Sequence, residues 1–335
     1  MALDNLPLDI LDALCQFVHN NDLLALSRSS SAFCPPAQRY IYRRLALFNF
    51  TDAVRCLRTL RKRRHLARHV RVLTLRLDPN ALVLRSFVDL LAAVLSEMPN
   101  LTSLDIVIPP SASRAFFAAE MRGTVYKRLS HFSCNLPLDD VMSSFLQRLP
   151  AATELQLGER AASLSSSPSL PILPSSALPN LALFMGPSDA AAVLVPGRPL
   201  ESVHLYSGEL SEDVLVALAR SSSAITVFGA FTHSLSPSVL HCLAENLPHL
   251  HHLRIMTMYH ASNQPDDLFY GQVVQILSTL PALVSAELAG FRWVSWKDTT
   301  GSRSEGRPKS KPARTHAAAR TEPLDASRSI NIGLY

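Results

Sequence analysis

Through the middle of the chain runs a recurring string of the form P-x-L-x-x-L-x-L, in which a proline-marked turn leads into alternating apolar and polar positions. It occurs as MPNLTSLDI (98–106), LPAATELQL (149–157), RPLESVHLY (198–206), LPHLHHLRI (247–255) and LPALVSAEL (280–288). VRVLTL (70–75) and ITVFGA (225–230) are weaker members. Alternation at period 2 predicts strands with one buried face. Apolar residues at helical spacing before the strands predict helices over 86–97, 139–148, 212–220, 237–246 and 271–279. Ser236-Pro237 supplies an N-cap and a first-turn proline, Ser211 precedes Glu212-Asp213, and Pro99, Pro150, Pro248 and Pro281 end helices just before the strands.

The strand anchors Leu73, Leu104, Leu155, Val203, Phe228, Leu253 and Ala286 are separated by 31, 51, 48, 25, 25 and 33 residues. The two long intervals fit two units each, with LPNLALFMG (178–186) as an extra strand in the second. Strand–helix units on periods of about 20–29 residues resemble leucine-rich repeats, which bury their apolar faces only by stacking on one another. An unrelated α/β domain with coincidental spacing is the competing reading. Residues 159–177, rich in Ser and Pro, are expected to form a surface loop.

The N-terminal rhythm is different. In LPLDILDALCQFV (6–18), Ile10, Leu11, Leu14, Phe17 and Val18 form one helical stripe behind Pro7, with Asp9 and Asp12 near the positive end of the helix dipole. A second short helix is expected after Asn20-Asn21, capped by Asp22 and carrying Leu23, Leu24 and Leu26. Ser27–Ser31 read as a polar turn, Pro35-Pro36 as a chain break, and AQRYIYRRL (37–45) as a third helix. Three such helices need a partner or a neighbouring domain to cover their apolar faces.

Leu6-Pro7, Ile10-Leu11, Asp22-Leu23, Leu26 and Phe33 together resemble an F-box. The resemblance implies docking on the Skp adaptor of a cullin ubiquitin ligase, with Leu6, Pro7, Leu8, Ile10 and Leu11 leading the contact and Leu23, Leu26 and Phe33 completing it. A small helical cap on the repeat domain is the alternative. The expected fold is therefore α/β: a small N-terminal three-helix F-box (1–50), a basic connecting helix (51–69), an irregular leucine-rich-repeat solenoid of parallel strands plus helices (70–296), and a disordered basic tail (297–335). Trp293 and Trp296 are expected to close the open end of the repeats.

Charge is unevenly spread along the chain. Residues 1–76 carry 13 Lys/Arg against 5 Asp/Glu, residues 77–296 carry 11 against 18, and residues 297–335 carry 8 against 4. The repeats are thus mildly acidic, which argues against a nucleic-acid partner despite the net charge of +5. RKRR (61–64) reads either as a solvated helix face or as an import signal. The five cysteines form no CxxC pair, which suits free thiols in the cytoplasm or nucleus, and apolar runs such as 190–195 are far shorter than a membrane span.

In the x-L-x-L strands, side chains between the leucines leave the core. The candidate cargo-binding positions are Ser103, Asp105, Glu154, Gln156, His204, Tyr206, His252, Arg254 and Met256, with Ser202, Ser285 and Glu287 beside them. No phosphate loop, dinucleotide fingerprint, nucleophile elbow or HExxH motif occurs. His249, His251 and His252 sit at a repeat turn without the mix of ligands a zinc site uses. No enzyme activity, metal or cofactor is expected. The function implied by the resemblance is recognition of a protein cargo for ubiquitylation; a ligase-independent repeat scaffold is the alternative.

Overall fold

The computed structural model describes residues 6–78, 80–109, 124–159, 173–174, 176–233, 235–257, 267–288 and 291–294, with positions 112, 116 and 171. Residues 297–335, Trp296, the side chain of Trp293 and most of the loop expected at 159–177 lie outside them.

The described chain begins with helices α1 (Leu8–Gln16), α2 (Asn20–Ser29) and α3 (Cys34–Ile41). Strand β1 (Arg44–Leu47), helices α4 (Phe50–Lys62) and α5 (Arg64–Ala67), and strand β2 (Val72–Arg76) follow. Next come α6 (Arg85–Leu95), β3 (Ser103–Val107), β4 (His131–Cys134), α7 (Asp140–Leu146), β5 (Glu154–Gln156), β6 (Leu183–Pro187) and α8 (Ser188–Leu194). The chain continues through β7 (Ser202–Ser207), α9 (Glu212–Leu218), β8 (Val227–Thr232) and α10 (Pro237–Asn246). It ends with β9 (His252–Thr257), α11 (Asp267–Ser278), β10 (Ser285–Leu288) and β11 (Phe291–Val294).

Among the described residues these strands form one sheet whose spatial order is the chain order, β1 to β11. Pairing is parallel from β1 to β10, and β11 turns back antiparallel on β10. Every anchor deduced from the hydrophobic pattern lies in a single register column: Leu73, Leu104, Leu155, Val203, Phe228, Leu253 and Ala286. The two long intervals are split by Phe132 of β4 and Phe184 of β6, which complete the column. These residues are buried, each Leu or Phe contributing roughly 2 kcal/mol, and they face the same core as the helices.

A second repeat runs along the backbone. At the entry of each strand from β2 to β10 two consecutive N–H groups share one carbonyl of the preceding unit: Arg71 and Val72 donate to Arg43, Thr102 and Ser103 to Arg71, Ser130 and His131 to Thr102, and so on to Val284 and Ser285 on His251. Where the entry residue is Thr or Ser, its hydroxyl adds a further bond, as Thr102 does to Arg71 at 2.9 Å and Ser130 to Thr102 at 3.0 Å. Parallel units of unequal length are thereby held in one register. The helix starts follow the capping rule: Asp139, Ser211 and Ser236 accept from the N–H groups of Met142, Val214 and Val239.

One repeat breaks the apolar pattern. The residue before the turn proline is Met98, Leu149, Leu247 or Leu280 elsewhere, all buried, but Arg198 takes this place before Pro199 and is only 1% exposed. Its guanidinium donates to the carbonyls of Ala177 (2.9 Å), Leu194 (2.6 Å), Pro174 (2.9 Å) and Pro196 (3.3 Å). Burial lowers its pKa, and the carbonyls supply the partners a buried cation needs. The neighbouring Leu178 adopts φ 57°, a region non-glycine residues rarely occupy.

The N-terminal segment departs from expectation in several places. α2 starts before Asp22, which lies in its first turn, and it continues through Ser29, with the Ser27 and Ser29 hydroxyls bonded back to the carbonyls of Leu24 and Leu26 so that they do not compete for the backbone elsewhere. Pro35 and Pro36 do not break the chain but occupy the first turn of α3, where no N–H is required. The third helix ends at Ile41, and Arg44–Leu47, expected in part as helix, pairs with β2, so the sheet starts before residue 70.

Candidate functional site

Among the described residues the sheet has one face packed against the helices and one that no helix covers. On the free face the side chains between the buried anchors fall into register columns. One contains Ser103, His131, Glu154, Ser202, His252 and Ser285; the next contains Thr74, Asp105, Ser133, Gln156, His204, Arg254 and Glu287. The structure thus brings together the expected cargo positions from separate repeats. Tyr206 and Met256 lie one step further along β7 and β9, Met256 being 48% exposed.

Neighbouring strands are linked across this face. His131 meets Glu154 at 3.1 Å, Ser133 meets Gln156 at 3.3 Å, His252 meets Ser285 at 2.9 Å, and Arg254 meets Glu287 at 3.2 Å. Arg76 reaches Asp105 at 2.8 Å. Solvent-exposed pairs of this kind contribute only about 0–1 kcal/mol each. Their effect is to order alternating donors and acceptors along a surface. His204 bonds Ser202 at 3.1 Å and lies over Gly229 of β8. Burial, and then the Arg254 guanidinium, lower its pKa, which favours a neutral imidazole able both to donate and to accept. The Tyr206 hydroxyl donates to the carbonyl of Leu157, and burial pushes its pKa up to about 12. Tyr206 is therefore tied into the scaffold while the residue stays 38% exposed.

His131, Ser133, Thr74 and Met185 of the same face were not among the expected residues. HFSC (131–134) lacks the proline lead of the five clear repeats and, unlike VRVLTL and ITVFGA, has no second apolar residue beside its anchor, so only the alternation of Phe132 and Cys134 marks it as a strand. Among the described residues no group of three or more His, Cys, Asp or Glu is placed to hold a metal ion, and no helix is long and apolar enough to cross a membrane.

The residues matched to the F-box pattern divide into two sets. Leu11, Leu23 and Phe33 are buried with Cys15 and Ala37 in a small separate core, against which Leu6, Val18 and Leu26 pack. Pro7, Leu8 and Ile10 are exposed, Leu8 by 51% and Ile10 by 49%. The apolar stripe of α1 is therefore two adjoining faces: Leu11, Cys15 and Val18 turn inward, while Ile10, Leu14 and Phe17, at i, i+4 and i+7, turn outward. Phe17 is 85% exposed, and Leu24 adds an exposed apolar side chain on α2. The basic helix α4 buries Ala53, Leu57 and Leu60. Arg61 and Arg64 both pair with Glu97, at 2.6 and 3.3 Å, so half of RKRR is engaged with the first repeat.

No family model matches the chain, and no curated protein matches it. Among solved structures it is similar to the leucine-rich-repeat-containing protein LegL7 from Legionella pneumophila, with 13% identity and a TM-score of 0.36, over 63% of this chain and 72% of that one.

Proposed function

We propose that this protein is a substrate-recognition subunit of an SCF-type ubiquitin ligase, which docks on a Skp adaptor through its N-terminal helices and holds a protein cargo on the open face of its repeats. The observation that carries this reading is the outward apolar face of α1. Leu8, Ile10, Leu14 and Phe17 remain exposed beside a helical core that is already closed. Clustered apolar side chains of this size on a surface mark a site of association. The ordered polar face supplies the second requirement, since it presents Arg, Met and His side chains in fixed register. The protein performs no chemistry in this reading; it raises the effective concentration of cargo lysines near the ligase.

The exposed members of the F-box pattern, Pro7, Leu8 and Ile10, lead the adaptor contact, with Leu14 and Phe17 extending it. Leu11, Leu23 and Phe33 shape the helices from within. That burial also favours a second reading, in which the helices are a self-sufficient cap on a ligase-independent binding scaffold.

Binding of the purified full chain to purified Skp adaptor separates the two. Adaptor capture by the wild type that is lost in Leu8→Asp with Ile10→Asp supports the ligase subunit. Absence of wild-type capture supports the scaffold.

A further inference from the structure

Where the three-helix unit meets the first repeats there is a cavity of about 220 Å³ lined by residues that include Arg39, Arg43, Arg68, Arg71, His69 and Asp12. Four arginines thus line a space to which one acidic residue, Asp12, contributes. Asp12 is already engaged, accepting from Arg39 at 3.0 Å and from the Tyr40 hydroxyl at 3.2 Å. Among the described residues Arg43, Arg68 and Arg71 form no ion pair. Their backbones are fixed nonetheless. The Arg43 carbonyl accepts from Arg71 and Val72, the Arg71 carbonyl from Thr102 and Ser103, and the Arg68 carbonyl from Asn100 at 2.8 Å. Three arginines without an ion pair therefore line one space from a fixed frame; Arg68 and Arg71 are exposed, so water screens part of their repulsion, and a bound anion would relieve the rest.

His69, also in the wall, has its pKa lowered by burial first and then by Arg39 and His65, in keeping with a cationic surrounding. Guanidinium forks match the oxygens of phosphate, and a dianion offers more acceptors than one carboxylate to three free arginines.

We propose that this cavity binds a phosphate group, either a free phosphate-type anion or a phosphate monoester carried on a peptide. The proposal is independent of adaptor docking: it uses none of the exposed apolar residues of α1.

The test is calorimetric titration of the full chain at low ionic strength with pyrophosphate, with a peptide carrying one phosphoserine, and with the same peptide unmodified. The variants are Arg43→Gln with Arg71→Gln, single Arg68→Gln in case the double variant melts early, and Lys62→Gln with Arg63→Gln as a charge-matched control. Saturable binding of pyrophosphate or the phosphopeptide is expected, weakened by about 10-fold or more in the cavity variants and little changed in the control. The tighter of the two ligands identifies the source of the phosphate. Absence of saturable binding to either phosphate form, equal binding of the unmodified peptide, or equal weakening in the control would overturn the proposal.

Discussion

The imidazole of His204 lies against the backbone of Gly229 on the next strand, so closely that a Cβ placed at Gly229 would stand 2.6 Å from Nδ1. The two residues are register partners on the open face. Gly229 therefore lets the ring lie over the sheet, where it bonds Ser202. Since the clash falls on the end of a side chain that can rotate, Gly229→Ala is expected to fold with a loss of about 1 kcal/mol or less. It should displace the ring. The chemical shifts of the His204 imidazole, assigned by comparison with His204→Gln, check this: unchanged shifts in Gly229→Ala would contradict it.

His204 and His69 both have pKa values below the ordinary histidine value of 6.5, chiefly through burial. Between their folded pKa values and 6.5 the unfolded chain binds more protons than the folded one. Stability therefore rises with pH through that window and levels off above it. The melting temperature should fall on acidification below about pH 6.5, and less steeply in His204→Gln than in the wild type. Parallel melting curves across this range would count against the buried neutral imidazole.

Tyr206 was expected as a free cargo contact, yet its hydroxyl is spent on the Leu157 carbonyl. Tyr206→Phe should cost about 1 kcal/mol in urea unfolding. The difference in ultraviolet absorbance between wild type and Tyr206→Phe should titrate near the raised value of about 12 rather than at the ordinary tyrosine value of 10. A difference curve centred on 10 would show the phenol to be solvated.

Arg198 fills an apolar position of the repeat and satisfies carbonyls of the loop before β6 and of the last residue of α8. Arg198→Leu restores the pattern seen in the other repeats but leaves those buried acceptors without a donor, so a loss of about 3 kcal/mol or more is expected. Chemical denaturation measures it. A variant as stable as the wild type would mean that water replaces the guanidinium.

The repeats were legible because one physical requirement, burying every second strand residue, is written into the chain at each unit, and the seven deduced anchors share one column. β4 was not, since Phe132 and Cys134 alternate with neither a proline turn before them nor the adjoining apolar residue that Val72 and Val227 supply in β2 and β8. The N-terminal stripe was legible as helix but not as two faces: periodicity marks Ile10 and Leu11 alike, and only packing assigns Leu11 to the core and Ile10 to the surface. The cationic cavity could not be read either, because Arg39, Arg68 and Arg71 approach one another only once α3 and the turn before β2 are docked.

The most direct measurement of the proposed role is proximity labelling in cells by three forms of the protein: wild type, Leu8→Asp with Ile10→Asp, and Arg254→Ala with Met256→Ala. All these side chains are exposed, so each form should fold. The first variant should lose the Skp adaptor and cullin but keep the cargo proteins, and the second should keep the ligase and lose cargo. Adaptor missing from the wild type, or a partner set identical in all three, would contradict that role.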